Sequence, residues 1–478
     1  MAVAKGPPFF VQVASRPAGA AWSAVQELGQ ASQSPASLAI DPSGTALVAF
    51  VSTTTTTAPC TNGNGCLQIW IKPPGVSTWS QEKLVAAPAG TAFFEPSVAI
   101  DPNSTGNAAV VWNTTPSAGL SAVQAVQRTA GVWGVLQSVN SSNTETYDRT
   151  RVAIDSAGTP VALWASSLNT CPTVCSYQLR TAAFNGSWQN TTFETNNTEK
   201  FDSATGDLFE RRDGQGTVSA IWIRTNATTG AQTIRSATHP LTATPAWGAP
   251  STVETLPAGS TAFDPRIAIA SDGETVGTWG EQAAGGAVAI LSSVRPPGGS
   301  FAAATTLDNG TNVNAGPDLA MDGQGTATVV WRNAAGGTQR FAVHPHGGSF
   351  GGTFDAFTGT GTGRTIADAD PAGHVSAVWA ASTSTVQTQV YDAVAPVMPA
   401  LPSPLATTPT NALVSFDTSA TDVWSNPVSI HWDFGDGASA DGASATHAYA
   451  LPGLFTPKAV ASDASGNSAA QTSQIQAT

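Results

Sequence analysis

Seven times along this chain of 478 residues, a hairpin of small residues ends in an aromatic residue placed six residues after a glycine. Successive glycines lie 48 to 62 residues apart, a period typical of four-stranded repeats rather than of the shorter helical ones. The chain is therefore predicted to be a repeat array, which can run longer than one ordinary core. The seven pairs are Gly44 and Phe50, Gly106 and Trp112, Gly158 and Trp164, Gly216 and Trp222, Gly273 and Trp279, Gly325 and Trp331, and Gly373 and Trp379.

One repeat shows how each unit is expected to fold. Four short strands, termed A to D, are predicted at Ser97–Asp101, Ala108–Trp112, Val123–Gln127 and Gly131–Leu136. Strands A and B are continuously apolar with small residues, as expected of strands covered on both faces, whereas C and D alternate with polar residues. The A-to-B turns read Asp-x-x-Gly, which is hairpin chemistry: Asp bonds backbone donors and Gly supplies a positive φ.

The order of strands predicts how the array closes. A lone D strand beginning at Trp22 precedes six complete units, and the seventh unit lacks a D strand after Tyr391. Pairing of 22–28 with 386–391 would close a ring and remove both sheet edges. Residues 9–14 resemble an additional C strand, and either they or 386–391 could serve in the closing unit. We therefore predict an all-β fold whose residues 1–392 form a seven-bladed β-propeller closed by an N-terminal strand.

Composition narrows the function classes. The net charge is −13 and only 11% of residues are charged, which argues against a nucleic-acid ligand because phosphates are held by clustered Lys and Arg. No apolar run approaches the length of a membrane-spanning helix, and the first ten residues lack the pattern of a signal peptide. A monomer outside the cell, secreted or at the cell surface, is expected, with no cofactor.

The four cysteines form two local pairs, Cys60 with Cys66 and Cys171 with Cys175, each in a loop at the same place in its repeat. Two readings are open: disulfides, or thiolate ligands of a metal. No histidine lies near either pair to complete a metal site, so disulfides are favoured and no metal site is predicted. Disulfides form in oxidising compartments, which agrees with an extracellular location.

A different domain follows a proline-rich linker at 393–402. Its motifs are Trp432-Asp433-Phe434-Gly435-Asp436-Gly437, then His447-Ala448-Tyr449 and Ala461 to Asn467. In order and spacing they resemble the PKD domain, an immunoglobulin-like β-sandwich, and the predicted sandwich covers 403–478. The resemblance implies an extracellular spacer or a module that contacts protein or glycan, with the aromatic residues in the core.

Acidic residues before strand A are the candidate binding residues. Four successive repeats carry an aromatic residue followed by an acid, and arginines lie nearby. Only Glu95 and Asp264 stand at the same distance, six residues, from the A-to-B turn. The acids can line the mouth of the propeller and contact a ligand, or they can cap loop amides and pair with the arginines. The candidates are Glu95, Asp148, Asp202, Asp264, Arg149 and Arg266.

The fourth repeat departs from the others, because its strand A reads Phe209-Glu210-Arg211-Arg212 and Asp202 lies farther from the turn. An insertion that places Glu210–Arg212 in a longer hairpin would explain both departures.

These features favour a secreted or cell-surface binding or adhesion protein that engages a glycan or an extracellular protein at the propeller mouth. A glycoside hydrolase is an alternative, since two carboxylates on neighbouring blades could supply an acid and a base. The architecture distantly resembles the sialidase-type propellers that accompany PKD domains, but their Ser-x-Asp-x-Gly-x-Thr-Trp boxes are not matched here, and no catalytic residue is assigned. A structural repeat protein without a small ligand is the third reading.

Overall fold

This computed structural model describes residues 2–5, 10–15, 23–31, 36–52, 60, 65–101, 103–116, 121–155, 157–168, 177–196, 199–210, 217–226, 228–239, 247–286, 288–309, 316–333, 338–357, 365–370, 372–380, 386–392, 394–402, 407–422 and 428–478. Across these residues every regular element is a strand, which confirms the all-β prediction. None of them forms a helix long and apolar enough to cross a membrane. The chain divides into two compact units: most residues up to Gln389 form the first, and Val390–Thr478 with Ala372–Ser376 form the second.

Six successive antiparallel sheets, termed sheets 2 to 7, correspond to the six complete units predicted from the sequence. Each has its strands in chain order, and sheet 3 has a D strand broken into two pieces that both pair with β10. Their strands are: sheet 2, β4 (Ser37–Ile40), β5 (Ala46–Ser52), β6 (Cys66–Lys72) and β7 (Ser80–Ala86); sheet 3, β8 (Thr91–Ile100), β9 (Ala108–Pro116), β10 (Ser121–Thr129), β11 (Val132–Trp133) and β12 (Gln137–Ser142); sheet 4, β13 (Glu145–Ile154), β14 (Pro160–Leu168), β15 (Tyr177–Phe184) and β16 (Trp188–Asn196); sheet 5, β17 (Glu199–Glu210), β18 (Val218–Asn226), β19 (Gln232–His239) and β20 (Ser251–Thr255); sheet 6, β21 (Thr261–Ile269), β22 (Thr275–Gln282), β23 (Val288–Arg295) and β24 (Thr305–Asp308); and sheet 7, β25 (Asp318–Met321), β26 (Ala327–Arg332), β27 (Gln339–His344) and β28 (Phe354–Phe357).

The array begins and ends with a three-stranded sheet. Sheet 1 contains β1 (Ala2–Lys5), β2 (Phe10–Val13) and β3 (Gln26–Gln30), and sheet 8 contains β29 (Ile366–Ala369), β30 (Val375–Ala380) and β31 (Val386–Tyr391). Among the described residues β3 pairs with β2 and not with β31, so the predicted closure by the N-terminal strand is not found. The predicted additional C strand occupies that edge of β3, because Val11 and Val13 alternate into a core with Leu28.

Consecutive sheets pack through their apolar faces. The first strands, from β4 to β29, contact one another in order, and each interface from sheets 2 and 3 to sheets 6 and 7 buries the B-strand aromatic of the later repeat. Trp112, Trp164, Trp279 and Trp331 are fully buried. The repeated aromatic of the sequence is therefore the central packing residue between neighbouring sheets.

Apolar residues are exposed near both ends of the array. Ile40, the last residue of β4, is 53% exposed, whereas the equivalent Ile100 and Ile154 are 6% and 0% exposed. On β29, Ile366 and Asp368 are exposed. The face of sheet 2 is nevertheless partly covered, because sheet 1 packs against it.

The second unit has a core of its own around Phe416, Trp432 and Tyr449, the aromatic residues expected there from the PKD resemblance. Met398 and Leu401, from the segment predicted to be a linker, are buried in this core. Backbone hydrogen bonds in both directions also join Val397 to Thr421, so this segment is packed onto the sandwich. The strands are β32 (Val414–Asp417), β33 (Ser429–Asp433), β34 (Ser439–Asp441), β35 (Ser444–His447), β36 (Gly453–Phe455), β37 (Lys458–Ser462), β38 (Ser468–Thr472) and β39 (Ile475–Ala477).

Candidate functional site

The first strand of sheets 3, 4 and 6 begins earlier than predicted and contains a β-bulge. In sheet 3, Phe94 pairs with Asn113 and Ser97 with Val111, so that two residues lie opposite Trp112 alone. In sheets 4 and 6 the register shifts at the same place, between Asp148 and Arg151 and between Phe263 and Arg266. Bulges redirect side chains and are common beside functional sites. Pro96 and Pro265 lie in two of the three bulges, where the missing N–H of proline removes no hydrogen bond between the strands.

The residue that opens each bulge has a left-handed backbone. Glu95, Arg149 and Asp264 have φ values of 48°, 53° and 47°. These are the only described non-glycine residues of the first strands with positive φ, and this conformation costs about 1–2 kcal/mol for a residue with a Cβ. The shared position explains why Glu95 and Asp264 have the same distance to the turn, and it shows that Arg149, not Asp148, is their equivalent.

The two equivalent acids, Glu95 and Asp264, each accept a hydrogen bond from the backbone of the next repeat. Glu95 accepts a hydrogen bond from the backbone N–H of Arg149 at 2.8 Å, and Asp264 accepts one from the backbone N–H of Gly316 at 3.2 Å. Gly316 is six residues before the turn residue Asp322, as Glu95 is before Asp101. A carboxylate at one bulge thus caps the amide at the next, which is a structural task these acids perform.

Around Arg149 the structure brings three of the predicted residues together. The Arg149 guanidinium lies 3.8 Å from a carboxylate oxygen of Glu95 and 3.8 Å from one of Asp148. The side chains of Asp148 and Arg149 are 46% and 38% exposed, and that of Glu95 is 22% exposed. Burial and the nearby Asp148 raise the pKa of Glu95, against the opposing effect of Arg149. We call Phe94, Glu95, Asp148 and Arg149 the Phe94 site.

Phe94 is exposed because of the residue beside it on strand B. In sheet 6 the equivalent Phe263 lies across Gly280, where a Cβ would stand 2.3 Å from the ring. In sheet 3 the partner is Asn113, whose side chain donates to the carbonyl of Tyr147 at 2.9 Å. The space that Phe263 uses is therefore occupied, and Phe94 is 39% exposed. The sequence shows an aromatic residue before each acid, but Phe94 was not among the predicted binding residues, although the Gly-to-Asn difference at this position is visible in the sequence.

The other predicted residues do not join this cluster. Arg266 pairs with Asp318 of sheet 7 at 3.0 Å, and Asp318 also accepts from the backbone N–H of Ala367. Asp202 lies in a longer bulge of β17, between Phe201 and Gly206, and its side chain lies outside the described part of the chain. Glu210 pairs with Val218 at the end of β17, so the insertion of this repeat is in the bulge rather than in a hairpin containing Glu210.

Tyr147, the tyrosine nearest the site, is buried and donates to Glu145 at 3.2 Å. Arg180 holds the same carboxylate at 2.7 Å. Burial and the Glu145 charge raise the pKa of Tyr147 to about 12. The phenol is therefore a protonated structural donor at neutral pH.

The cysteines and acids also bear on metal binding. Cys60 and Cys66 form a disulfide, and Cys171 and Cys175 lie outside the described residues. In the second unit, one carboxylate oxygen from each of Asp392, Asp422 and Asp463 lies within 4.8 Å of the others, an oxygen set of the kind that Ca²⁺ prefers. Hydrogen bonds within the unit already involve this cluster. Asp463 accepts from the backbone N–H of Asn467 at 2.8 Å and from the side-chain Nδ2 of Asn467 at 2.7 Å.

No curated protein matches the chain. Solved structures with similar folds include a protein of unknown function from Dyadobacter fermentans, at 11% identity and a TM-score of 0.39, covering 63% of this chain and 94% of that one. An α-L-arabinanase from Penicillium chrysogenum matches at 10% identity and a TM-score of 0.39, covering 82% and 98%. A PL25 ulvan lyase matches at 10% identity and a TM-score of 0.43, covering 81% of this chain and 90% of that one. At these scores the similarities carry no weight for function.

The family model of the PKD domain matches residues 393–478, a span that begins with the segment predicted to be a linker. The resemblance read from the Trp432–Gly437 and His447–Tyr449 motifs is thereby confirmed for the C-terminal region, which is similar to PKD domains over its whole length.

Proposed function

We propose that this chain is an extracellular carbohydrate-binding protein whose ligand contacts the Phe94 site. The observation that carries the proposal is an exposed aromatic residue, Phe94, directly before Glu95 in β8, where the carboxylates of Glu95 and Asp148 both lie 3.8 Å from the Arg149 guanidinium. Aromatic faces bind the apolar face of a sugar ring, and charged groups of both signs accept from and donate to its hydroxyls. The disulfide and the PKD match support an oxidising, extracellular compartment.

The architecture we propose for this function is a seven-bladed propeller made of sheets 2 to 8, each of which contains one of the seven repeated glycines or its B-strand aromatic. Residues 1–392 would form the propeller, and the PKD-like sandwich would serve as a spacer or second contact. In such a ring the bulges of the first strands stand at one end of the sheets, where ligands of propellers commonly bind.

Binding is tested with a glycan array and with calorimetry on the glycans that bind. Phe94→Ala and Asp148→Asn should each weaken binding about tenfold or more, because each removes a contact worth about 1.5 kcal/mol. Asp264→Asn is the matched control: it changes the equivalent bulge in sheet 6, where the aromatic is folded over Gly280, and should leave affinity unchanged. An array without binding, or equal affinity for all variants, would contradict the proposal and favour a purely structural array or a protein partner.

A glycoside hydrolase is the second candidate, and the raised pKa of Glu95 is what favours it. A carboxyl that keeps its proton to higher pH can act as a general acid, with the more exposed Asp148 as its partner. Tyr147 is buried, which argues against its acting as a sialidase-like nucleophile. Hydrolysis of a glycan identified on the array, abolished by Glu95→Gln, would establish this activity; an intact glycan after prolonged incubation would exclude it for that ligand.

A further inference from the structure

A cavity of about 180 Å³ lies between sheets 3 and 4, at the end of the strands opposite to the Phe94 site. Its apolar surface is formed by Ile154, Pro160 and the ring of Phe184. Its polar lining includes Asn107 and Gln127. Both sheets therefore contribute to the cavity, which combines an aromatic residue with amide groups.

Asn107 presents a free amide group to this cavity. The backbone N–H of Ala130 donates to its Oδ1 at 2.9 Å, which fixes the orientation of the amide and leaves Nδ2 as the outward donor. A Cβ at Gly158, which lines the cavity, would stand 3.7 Å from this Nδ2. Because residue 158 is a glycine, the NH₂ group is open to the cavity, and no described residue accepts a hydrogen bond from it.

The charge of Arg128 is turned away from this cavity. Its guanidinium binds Glu82 of β7, in sheet 2, through Nε at 3.0 Å and Nη2 at 2.9 Å, and the carbonyl of Gly106 accepts from Nη1 at 2.7 Å. On β10, Arg128 lies on the same face as Val126, which packs against sheet 2. Arg128 therefore brings no positive charge into the cavity, and a neutral ligand is preferred over an anion.

Gln127 adds an acceptor. Its Nε2 donates to Gln137 at 2.9 Å, which leaves its Oε1 available. Donors and an acceptor on one side of a cavity, with an aromatic ring and a proline on another, match a sugar ring, whose hydroxyls both donate and accept and whose C–H face is apolar. The volume is below the roughly 300 Å³ of sites for drug-sized ligands, and it suits a single sugar residue.

We infer that this cavity is a second carbohydrate subsite, which takes a neutral monosaccharide or the terminal sugar of a glycan. It is separate from the Phe94 site and does not depend on it. Asn107 donates to a ring hydroxyl, Gln127 accepts from one, and Phe184 covers the C–H face.

The test is a titration of the full chain, labelled with ¹⁵N, with the methyl glycosides of glucose, galactose, mannose and N-acetylglucosamine. We expect shifts of the Asn107 side-chain amide with at least one sugar, at millimolar concentrations. Asn107→Asp keeps the acceptor for Ala130 and removes the NH₂ donors, and it should weaken binding about tenfold. Phe184→Leu keeps the apolar volume, removes the flat ring, and should also weaken binding.

Two controls make the result decisive. Phe94→Ala and Asp148→Asn alter the other site and should leave these shifts unchanged, so failure of either site is seen separately. Melting temperatures show whether each variant is folded, and Phe184→Leu replaces Asn107→Asp if the latter is not. Absence of shifts with all four sugars, or shifts that both cavity variants retain at full affinity, would overturn the inference.

Discussion

At the scale of single residues, equivalent positions of the repeats have different roles because their neighbours differ. Phe94 and Phe263 occupy the same place, yet Phe263 lies over Gly280 and Phe94 is displaced by Asn113. Glu95 and Asp264 share a backbone conformation, and the Glu95 carboxylate lies 3.8 Å from the Arg149 guanidinium, which also lies 3.8 Å from Asp148. The candidate site is thus one repeat's departure from a shared pattern.

Gly280→Ala tests the packing of Phe263. A methyl group there would stand 2.3 to 2.8 Å from three ring carbons, so Phe263 must move, and we expect the free energy of unfolding to fall by about 1–3 kcal/mol. Gly280 does not have a positive φ, so the effect is steric. Urea denaturation measures it. Gly352→Ala is the control, since no atom lies within 4 Å of that Cβ; equal effects at both positions would contradict the packing described.

Glu95 should make stability depend on pH. Its pKa is raised above the ordinary 4.5, so the folded protein holds this proton more tightly than the unfolded chain does. The resulting stabilisation is complete below pH 4.5 and is lost as the pH rises through the folded pKa. The stability of the wild type relative to Glu95→Gln should therefore decrease as the pH rises above 4.5 and become constant once the pH has passed the folded pKa of Glu95. Glu27→Gln, at an exposed position, is the control, and a flat difference curve for Glu95→Gln would refute this assignment.

At the scale of elements, the bulge is the feature that sequence reasoning lacked. The apolar run Ser97–Ile100 predicts strand A correctly, but the strand continues back to Thr91. The bulge at Glu95 and Pro96 interrupts the alternation of side chains between the two faces of the strand. A sequence pattern of period two therefore ends at these residues. The bulge also explains why Asp202 lies farther from its turn: two residues lie opposite one in sheet 3, whereas the four residues 202–205 lie opposite one in sheet 5.

Asp264 allows the conformational cost of the bulge to be separated from its hydrogen bond. Asp264→Ala and Asp264→Gly both lose the acceptor for the Gly316 amide, but glycine tolerates the φ of 47° without strain. Asp264→Gly should therefore be more stable than Asp264→Ala, by about 1 kcal/mol. Chemical denaturation of the two variants measures this, and a more stable alanine variant would show that the bulge relaxes.

The disulfide between Cys60 and Cys66 closes a short loop before β6. Its loss in a Cys60→Ser/Cys66→Ser variant should lower the free energy of unfolding by about 2 kcal/mol, as expected for a loop of this length. Thiol titration of the unfolded wild type, without reductant, also tests the second predicted pair. No reactive thiol is expected if Cys171 and Cys175 are joined, and two if they are not.

At the scale of the whole molecule, the repeats and the C-terminal resemblance were predictable, and the way the array ends was not. Local turns such as Asp155–Gly158 specify each hairpin, and the Trp432–Gly437 motif identifies the second domain. The partner of β3 depends on pairing between distant segments, and Phe10–Val13 and Val386–Tyr391 are both suitable strands. In the same way, the cavity at Phe184 needs two repeats in contact, which no single repeat's sequence shows.

The exposure of Ile40 and Ile366 has a consequence for the order in which the sheets open. A sheet with two neighbours is held by two interfaces and a terminal sheet by one, so an open array loses protection from its ends, whereas the ring that we propose has no terminal sheet. In the ring, hydrogen exchange should be similarly slow in the central strands of sheets 2 to 8. Exchange that is fastest in β30 and β31 and slowest in the sheets around Trp164 and Trp222 would instead mean that the array is open, and would contradict the proposed ring.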